Sequence, residues 1–381
     1  MTFNLLTKVN YYEFIDDVNL RVSSNENSKI INNLELYNYL SNIKCEIDNI
    51  KSEWSKYKKY TNPYEFIHTP LDNSSYSICK YNPLSRSFFK MIELCNVFKI
   101  LDKLPDKSIK TFHLAEGPGG FIEAIHKLRN NTKDKYYGMT LISDDVNVPG
   151  WDKINNFMKD KKNIYIEKGF DNTGNLFNLE NLKYCYLKYK NNMNLITADG
   201  GFDFSLDYNN QENSISNLLF CQVLYAICLQ KKGGVFIIKC FDLFSKFSLD
   251  IVYLLSILYE DVWITKPKTS RYGNSEKYIV CNNYCIIPNS IFISKIFEIF
   301  SKIKEGYNIL SLFDHDISYQ YNIKIKESIC SLGEVQIDNI LNTLNIINNL
   351  KKDKLEFLKK NNLKKCTKWC KVNNMEYNNV I

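Results

Sequence analysis

His113-Leu-Ala-Glu-Gly-Pro-Gly-Gly-Phe-Ile-Glu123 reads as a strand, a glycine turn and a helix in immediate succession. In a doubly wound α/β sheet, this junction is where a nucleotide-like ligand sits, at the carboxyl edge of the strands. Glycines let the backbone approach a ligand and reach dihedrals that other residues avoid, while Pro118 restricts the turn and removes a donor. The spacing is neither Gly-x-x-x-x-Gly-Lys-Ser/Thr nor Gly-x-Gly-x-x-Gly, which disfavours a phosphate-cradling loop and a dinucleotide fingerprint. A glycine turn before a helix is common in α/β proteins, so on its own it says more about fold than about ligand.

Outward from this junction the pattern repeats. Apolar runs at Thr111–Ala115, Tyr136–Leu141, Asn163–Ile166, Asn194–Ala198, Val235–Phe241, Asp261–Thr265 and Lys277–Cys281 read as strands. Helical patterns lie between them, notably Gly120–Arg129 and Ser214–Gln230. This alternation predicts a mostly parallel sheet covered on both faces, an α/β Rossmann-like fold over residues 71–290. Lys231-Lys-Gly-Gly234 is expected to stop a helix and turn into the next strand. Residues 1–70 and 291–381 predict helical N- and C-terminal extensions. Leu36, Leu40, Ile43, Ile47, Ile50, Trp54 and Tyr57 alternate spacings of four and three and so share one helix face. A coiled-coil partner would use such a face, but packing on the chain's own central domain is the simpler reading.

Composition narrows the class. The 381 residues suffice for one large or two small domains. A hydrophobic content of 45% and a charged content of 24% are ordinary for a globular protein. No apolar run reaches membrane-spanning length, and Met1-Thr-Phe-Asn-Leu-Leu lacks a secretory signal pattern, so an intracellular protein with no membrane partner is expected. The twelve cysteines are scattered, with Cys221, Cys228, Cys240 and Cys281 in core-like runs. They read as reduced thiols rather than disulfides or zinc ligands, and no metal is expected. The net charge of +7 permits an anionic partner.

Two strands end in reactive side chains. Val235-Phe-Ile-Ile leads into Lys239, and Leu-Ile-Thr-Ala198 leads into Asp199, so both emerge at the same carboxyl edge. Lys90 upstream and Glu276 downstream complete an ordered Lys-Asp-Lys-Glu set. Any one of them alone is most simply a surface residue. Together with the glycine turn they are the groups that methyl transfer to a sugar hydroxyl would need. A hydroxyl is a poor nucleophile until deprotonated, and a lysine can accept its proton when burial or a second cation lowers the lysine's pKa.

The region from about 65 to 285 resembles the FtsJ-like (RrmJ-type) ribose 2′-O-methyltransferases, and within them the mRNA cap enzymes. Pro83-Leu-Ser-Arg-Ser-Phe-Phe-Lys90 resembles the segment bearing the first family lysine, and Leu114-Ala-Glu-Gly-Pro-Gly-Gly-Phe121 the cofactor turn. Tyr137-Gly-Met-Thr-Leu141 and Gly169-Phe-Asp-Asn-Thr-Gly174 resemble segments that flank the cofactor. Asp199-Gly-Gly201 carries the family aspartate, Lys239-Cys-Phe-Asp-Leu-Phe244 the central lysine, and Lys266-Pro-Lys-Thr-Ser-Arg-Tyr-Gly-Asn-Ser-Glu276 the glutamate. The family often has acids where this chain has Met139-Thr140 and Asn175, so the motif does not assign the ribose contact.

The resemblance implies S-adenosylmethionine as cofactor, held by Glu116, Gly117, Pro118, Gly119, Gly120, Phe121 and Asp199, with Asp171 near the adenine. It implies RNA as substrate, 5′-capped mRNA first, with other capping or transcription machinery as further partners. Lys239 would be the base, with Lys90 depressing its pKa and stabilising the alkoxide. Asp199 would hold Lys239, and Glu276 would fix Lys90 or the hydroxyl. An rRNA or tRNA 2′-O-methyltransferase, and a catalytically silent subunit of a capping complex, are the competing readings. The lysine-rich tail Lys351–Lys371 reads either as a solvated helix face or as an RNA-backbone contact.

Overall fold

The computed structural model describes residues 2–6, 8, 18–23, 31–71, 74–145, 148–201, 211–286, 288–303, 308–349 and 351–379. The strands are β1 (Thr2–Leu5), β2 (Val18–Ser23), β3 (Lys110–Leu114), β4 (Lys135–Met139), β5 (Ile164–Ile166), β6 (Met193–Ala198), β7 (Gln230–Cys240), β8 (Tyr259–Lys266), β9 (Lys277–Tyr284) and β10 (Asn308–Phe313). The helices are α1 (Leu34–Asp48), α2 (Lys51–Thr61), α3 (Ser87–Val97), α4 (Gly120–Arg129), α5 (Ile154–Met158) and α6 (Leu179–Tyr189). They continue with α7 (Gln211–Leu229), α8 (Lys246–Leu258), α9 (Ser290–Ser301), α10 (Tyr319–Asn348) and α11 (Lys352–Val372).

Among the described residues, one sheet runs in the order β1-β8-β9-β7-β6-β3-β4-β5. The five strands from β7 to β5 are parallel, and β9 is antiparallel to both β7 and β8. Strand order reverses between β3 and β6, which opens a crevice at their carboxyl ends. The central strands are apolar on both faces because both faces are covered. Leu195 and Ile196 of β6 and Val235–Ile238 of β7 are fully buried. One face packs on α6, α7, α8 and α9, and the other on α3, α4 and α11. All seven strands expected from sequence are present, each within a few residues of its expected bounds.

The termini hold more than helices. β1 adds an antiparallel edge to β8, and β2 pairs with β10 in a separate two-stranded sheet. These three strands lie outside the strand–helix alternation by which the others are read. The apolar face of the N-terminal helices is partnered within the chain. Ile43, Ile47, Ile50 and Trp54 pack on Ile337, Ile340 and Leu344 of α10. Lys231–Gly234, expected as a helix stop and turn, instead lies within β7. Met193 pairs with Gln230 and Leu195 with Val235, so these residues form an irregularity with Gly233 at φ +81°. No helix among the described residues is long and apolar enough to cross a membrane.

The switch point rests on a buried histidine. His113 Nδ1 lies 2.7 Å from Thr197 Oγ1 and Nε2 lies 2.8 Å from Thr111 Oγ1. Burial lowers its pKa to about 3. In the unfolded chain it titrates near pH ~6.5, so acid favours unfolding between that value and the folded pKa. Going from pH 7 to 5 is expected to remove about 2 kcal/mol of stability through this residue alone. Denaturant titrations of wild type and His113→Gln at both pH values test this; equal acid sensitivity in the two proteins refutes it.

Candidate active site

The junction after β3 is tightly built. Gly119 N donates to Glu116 O (2.7 Å), and Asp199 N donates to Leu114 O (3.3 Å), which ties the end of β6 to that of β3. Gly119 sits at φ +106°, a backbone region open mainly to glycine. A Cβ on Gly117 would stand 2.1 Å from Pro149 O. The turn opens on a cavity of about 630 Å³, a size typical of small-ligand sites. Its walls include Ser85–Ser87, Ala115, Gly117, Pro118, Thr140, Leu141 and Gly174–Phe177, with Lys90, Asp199, Lys239 and Glu276 at one end.

The four charged residues form two pairs. Lys90, reaching in from α3, lies 2.7 Å from both carboxylate oxygens of Glu276 and is 4% exposed. Lys239 Nζ donates to Asp199 O (2.7 Å) and lies 3.2 Å from Asp199 Oδ1. Burial pulls the Lys90 ammonium below its ordinary value; Glu276 and Asp199 oppose this, while Arg86 and Lys239 add to it. Burial alone would raise the Glu276 carboxyl, but Lys90, Lys239 and Arg86 outweigh it and hold it well below the usual carboxylate range.

A second layer fixes these groups. Ser270 Oγ donates to Glu276 Oε1 (2.7 Å), and Lys266 Nζ donates to Glu276 O (2.7 Å). Tyr278 OH donates to Asp199 Oδ1 (3.1 Å); burial first, then Asp199 and Glu276, raise its phenol pKa, so it stays a donor. Asp242, three residues beyond Lys239, binds Lys277 (2.9 Å) and Lys44 of α1 (2.9 Å), and Lys44 also donates to Ser275 Oγ (2.9 Å). The Pro267–Ser275 loop is held from both ends of the chain. Glu93 accepts from Lys268 N, Thr269 N and Trp369 Nε1; Glu65 binds Arg271; and Asn62 Oδ1 accepts from Tyr272 N (2.8 Å).

The expected cofactor residues divide. Gly117, Pro118 and Asp199 line the cavity. Glu116 is turned away, and its Oε1 accepts from Phe121 N (2.8 Å) and Ile122 N (2.9 Å) at the start of α4. Its buried carboxyl is raised well above the ordinary range, chiefly by burial. Gly119 faces Ile154 and Leu84 behind the turn, Gly120 faces Ser85 and Ser87 of the cavity wall, and Phe121 is a core residue. Asp171 is exposed and outside the wall. It binds Thr173, Asn178 and Asn181, and so shapes the loop whose Gly174–Phe177 form the wall. Thr140 and Asn175, where family acids were expected, both line the cavity. Sequence reasoning missed Arg86, Ser270, Tyr278 and Lys44. The first three lie within or beside quoted motifs, whereas nothing in sequence marked Lys44.

The family model of FtsJ-like methyltransferases matches residues 83–284. The chain is 28% identical over 257 residues to cap-specific mRNA (nucleoside-2′-O-)-methyltransferase 2 of Drosophila melanogaster, covering 61% of this chain and 34% of that protein. It is 38% identical over 180 residues to cap-specific mRNA (nucleoside-2′-O-)-methyltransferase 1 of Trypanosoma brucei brucei, covering 45% and 46%. The human enzyme of the latter name is 29% identical over 314 residues, covering 74% and 35%. The chain therefore spans less than half the length of each of these three relatives. The matched segment takes in the cofactor turn, both lysines and both carboxylates, on a sheet whose order reverses where that turn lies. The chain belongs to the FtsJ-like methyltransferase family.

Proposed function

We propose that this protein uses S-adenosylmethionine to methylate a ribose 2′-hydroxyl in RNA, near the 5′ cap of mRNA inside the cell. The observation that carries the reading is the convergence of the Lys90–Glu276 and Lys239–Asp199 pairs on one cavity beside the glycine turn. The cavity has the volume and the close backbone approach that the cofactor requires, with Gly117, Pro118, Thr140, Asn175 and Phe177 as its holders. When bound, the cofactor supplies a methyl group already made electrophilic by its sulfonium.

The protein's part is to position the hydroxyl and remove its proton. Lys239 Nζ, in its neutral amine form, accepts that proton. Asp199 orients Lys239 through its carbonyl and carboxylate, and Tyr278 keeps the carboxylate in place. Lys90, held by Glu276, stabilises the developing alkoxide. Glu116 serves the turn from behind rather than touching the ligand. The catalytic unit is residues 71–290, with the flanking 1–70 and 291–381 supporting it.

The cap assignment draws on the names of the relatives. Incubation with labelled cofactor should methylate a capped RNA on a ribose within its first two nucleotides and leave the triphosphate-ended RNA of the same sequence largely unmodified. Equal labelling of both, or labelling only at internal sites, would favour an rRNA or tRNA enzyme. No labelling of any RNA, with cofactor binding intact, would favour a silent subunit.

A further inference from the structure

The chain's positive charge is unevenly placed. α11 carries eight lysines against two acids, and α2 carries four against one. Together these two helices hold more than the whole excess of +7, and the rest of the chain is slightly acidic. The helices touch: Asn362 Nδ2 of α11 donates to Tyr60 O of α2 (2.8 Å). Asn362, Leu363, Cys366, Trp369 and Cys370 form the buried face of α11. Lys360, Lys364 and Lys368, spaced by four, make an exposed stripe on another face. Both acids of α11, Asp353 and Glu356, precede this stripe.

The helix that carries this stripe is tied to the loop beside the cavity. Trp369 of α11 donates to Glu93, which in turn holds the backbone of Lys268 and Thr269 in the loop that ends at Glu276. Burial first, then Arg271 and Arg86, lower the ammonium of Lys58 in α2, while Glu65 opposes them, so Lys58 stands near both arginines. Arg86 lines the cavity. Lys58 thus brings the positive charge of α2 beside Arg86 at the cavity wall, and α11 packs on α2 through Asn362 and Tyr60.

We infer that α2 and α11 form a basic ledge that carries the phosphate backbone of single-stranded RNA away from the catalytic cavity. The inference rests on the reading of this cavity as an RNA ribose methylation site. A polyanion suits the ledge because the lysines are exposed and evenly spaced, with Glu356 joining their row only at its N-terminal end, and because backbone contacts need no base-specific groups.

The test is the full-length triple variant Lys360→Glu, Lys364→Glu and Lys368→Glu, with Lys→Gln at the same positions as a gentler second variant. For a capped RNA of about twenty nucleotides, KM should rise on the order of 100-fold at 0.1 M salt if all three phosphate contacts are lost, since each is worth about fivefold there. The slope of log affinity against log salt should become shallower by about 2, at roughly 0.7 per single-strand contact. The Gln variant, which loses the same contacts without adding repulsion, should show this change of slope and a KM rise of that order, and charge reversal at least as much. kcat at saturating RNA, S-adenosylhomocysteine affinity and turnover of a capped dinucleotide should stay at wild-type levels. Unchanged KM and slope for the long RNA would overturn the ledge, as would an equal KM rise for the dinucleotide. An inactive wild type would instead refute the methylation reading itself.

Discussion

Lys239→Met is expected to abolish methyl transfer while leaving the cofactor bound. The substitution removes the only nitrogen of the side chain, the one that contacts Asp199 O at 2.7 Å and Asp199 Oδ1 at 3.2 Å. It leaves the Lys90–Glu276 pair and the glycine turn as they are. Asp199 keeps the hydrogen bond from Tyr278, so its carboxylate is not stranded. Loss of a positioned base typically costs ~10²–10⁴ in rate. Single-turnover methyl transfer with saturating capped RNA reads the effect directly, and calorimetry with S-adenosylhomocysteine should return wild-type affinity. Turnover within a few-fold of wild type in the folded variant would remove Lys239 from proton transfer.

Gly117→Val should eliminate cofactor binding. The new Cβ would fall 2.1 Å from Pro149 O and 2.8 Å from Pro149 C, inside the contact limit of both. Either the turn or the Pro149 segment must move, and both form the cavity wall. Affinity for S-adenosylhomocysteine should fall by more than about 100-fold, roughly the 3 kcal/mol at the upper end of what overpacking a well-packed site costs. A melting curve establishes that the variant is folded. Wild-type affinity in that folded protein would place the cofactor elsewhere. Gly119→Val would act differently: φ +106° and a Cβ 2.5 Å from Ile154 Cδ1 would strain the turn from behind rather than fill the cavity.

Sequence revealed whatever depends on strand ends and local pattern. Apolar runs predict the parallel sheet, and the placing of Lys239 and Asp199 at neighbouring strand ends puts both at one edge. Motif position did not reveal which residues of the turn face the cavity. Glu116 is a good example: a carboxylate beside glycines resembles a ligand contact, yet two unsatisfied amides at the start of α4 claim it. Asp171, expected near the adenine, is engaged by three polar partners of its own loop, which no motif position could foretell. Lys44 was illegible because its partner Asp242 lies 198 positions away, and no local periodicity encodes such a pairing.

The two ends of this chain complete each other, and this has a consequence for its birth on the ribosome. Among the described residues β2 pairs with β10 alone, and the Ile43–Ile47 side of α1 is covered by α10. Ile43 and Ile47 therefore leave the exit tunnel some three hundred codons before Ile340 and Leu344. At ~5–20 residues per second, that interval lasts roughly 15–60 s. Throughout it the nascent N-terminus presents an uncovered apolar helix, a target for holdase chaperones, and translation pauses late in the message would lengthen the exposure.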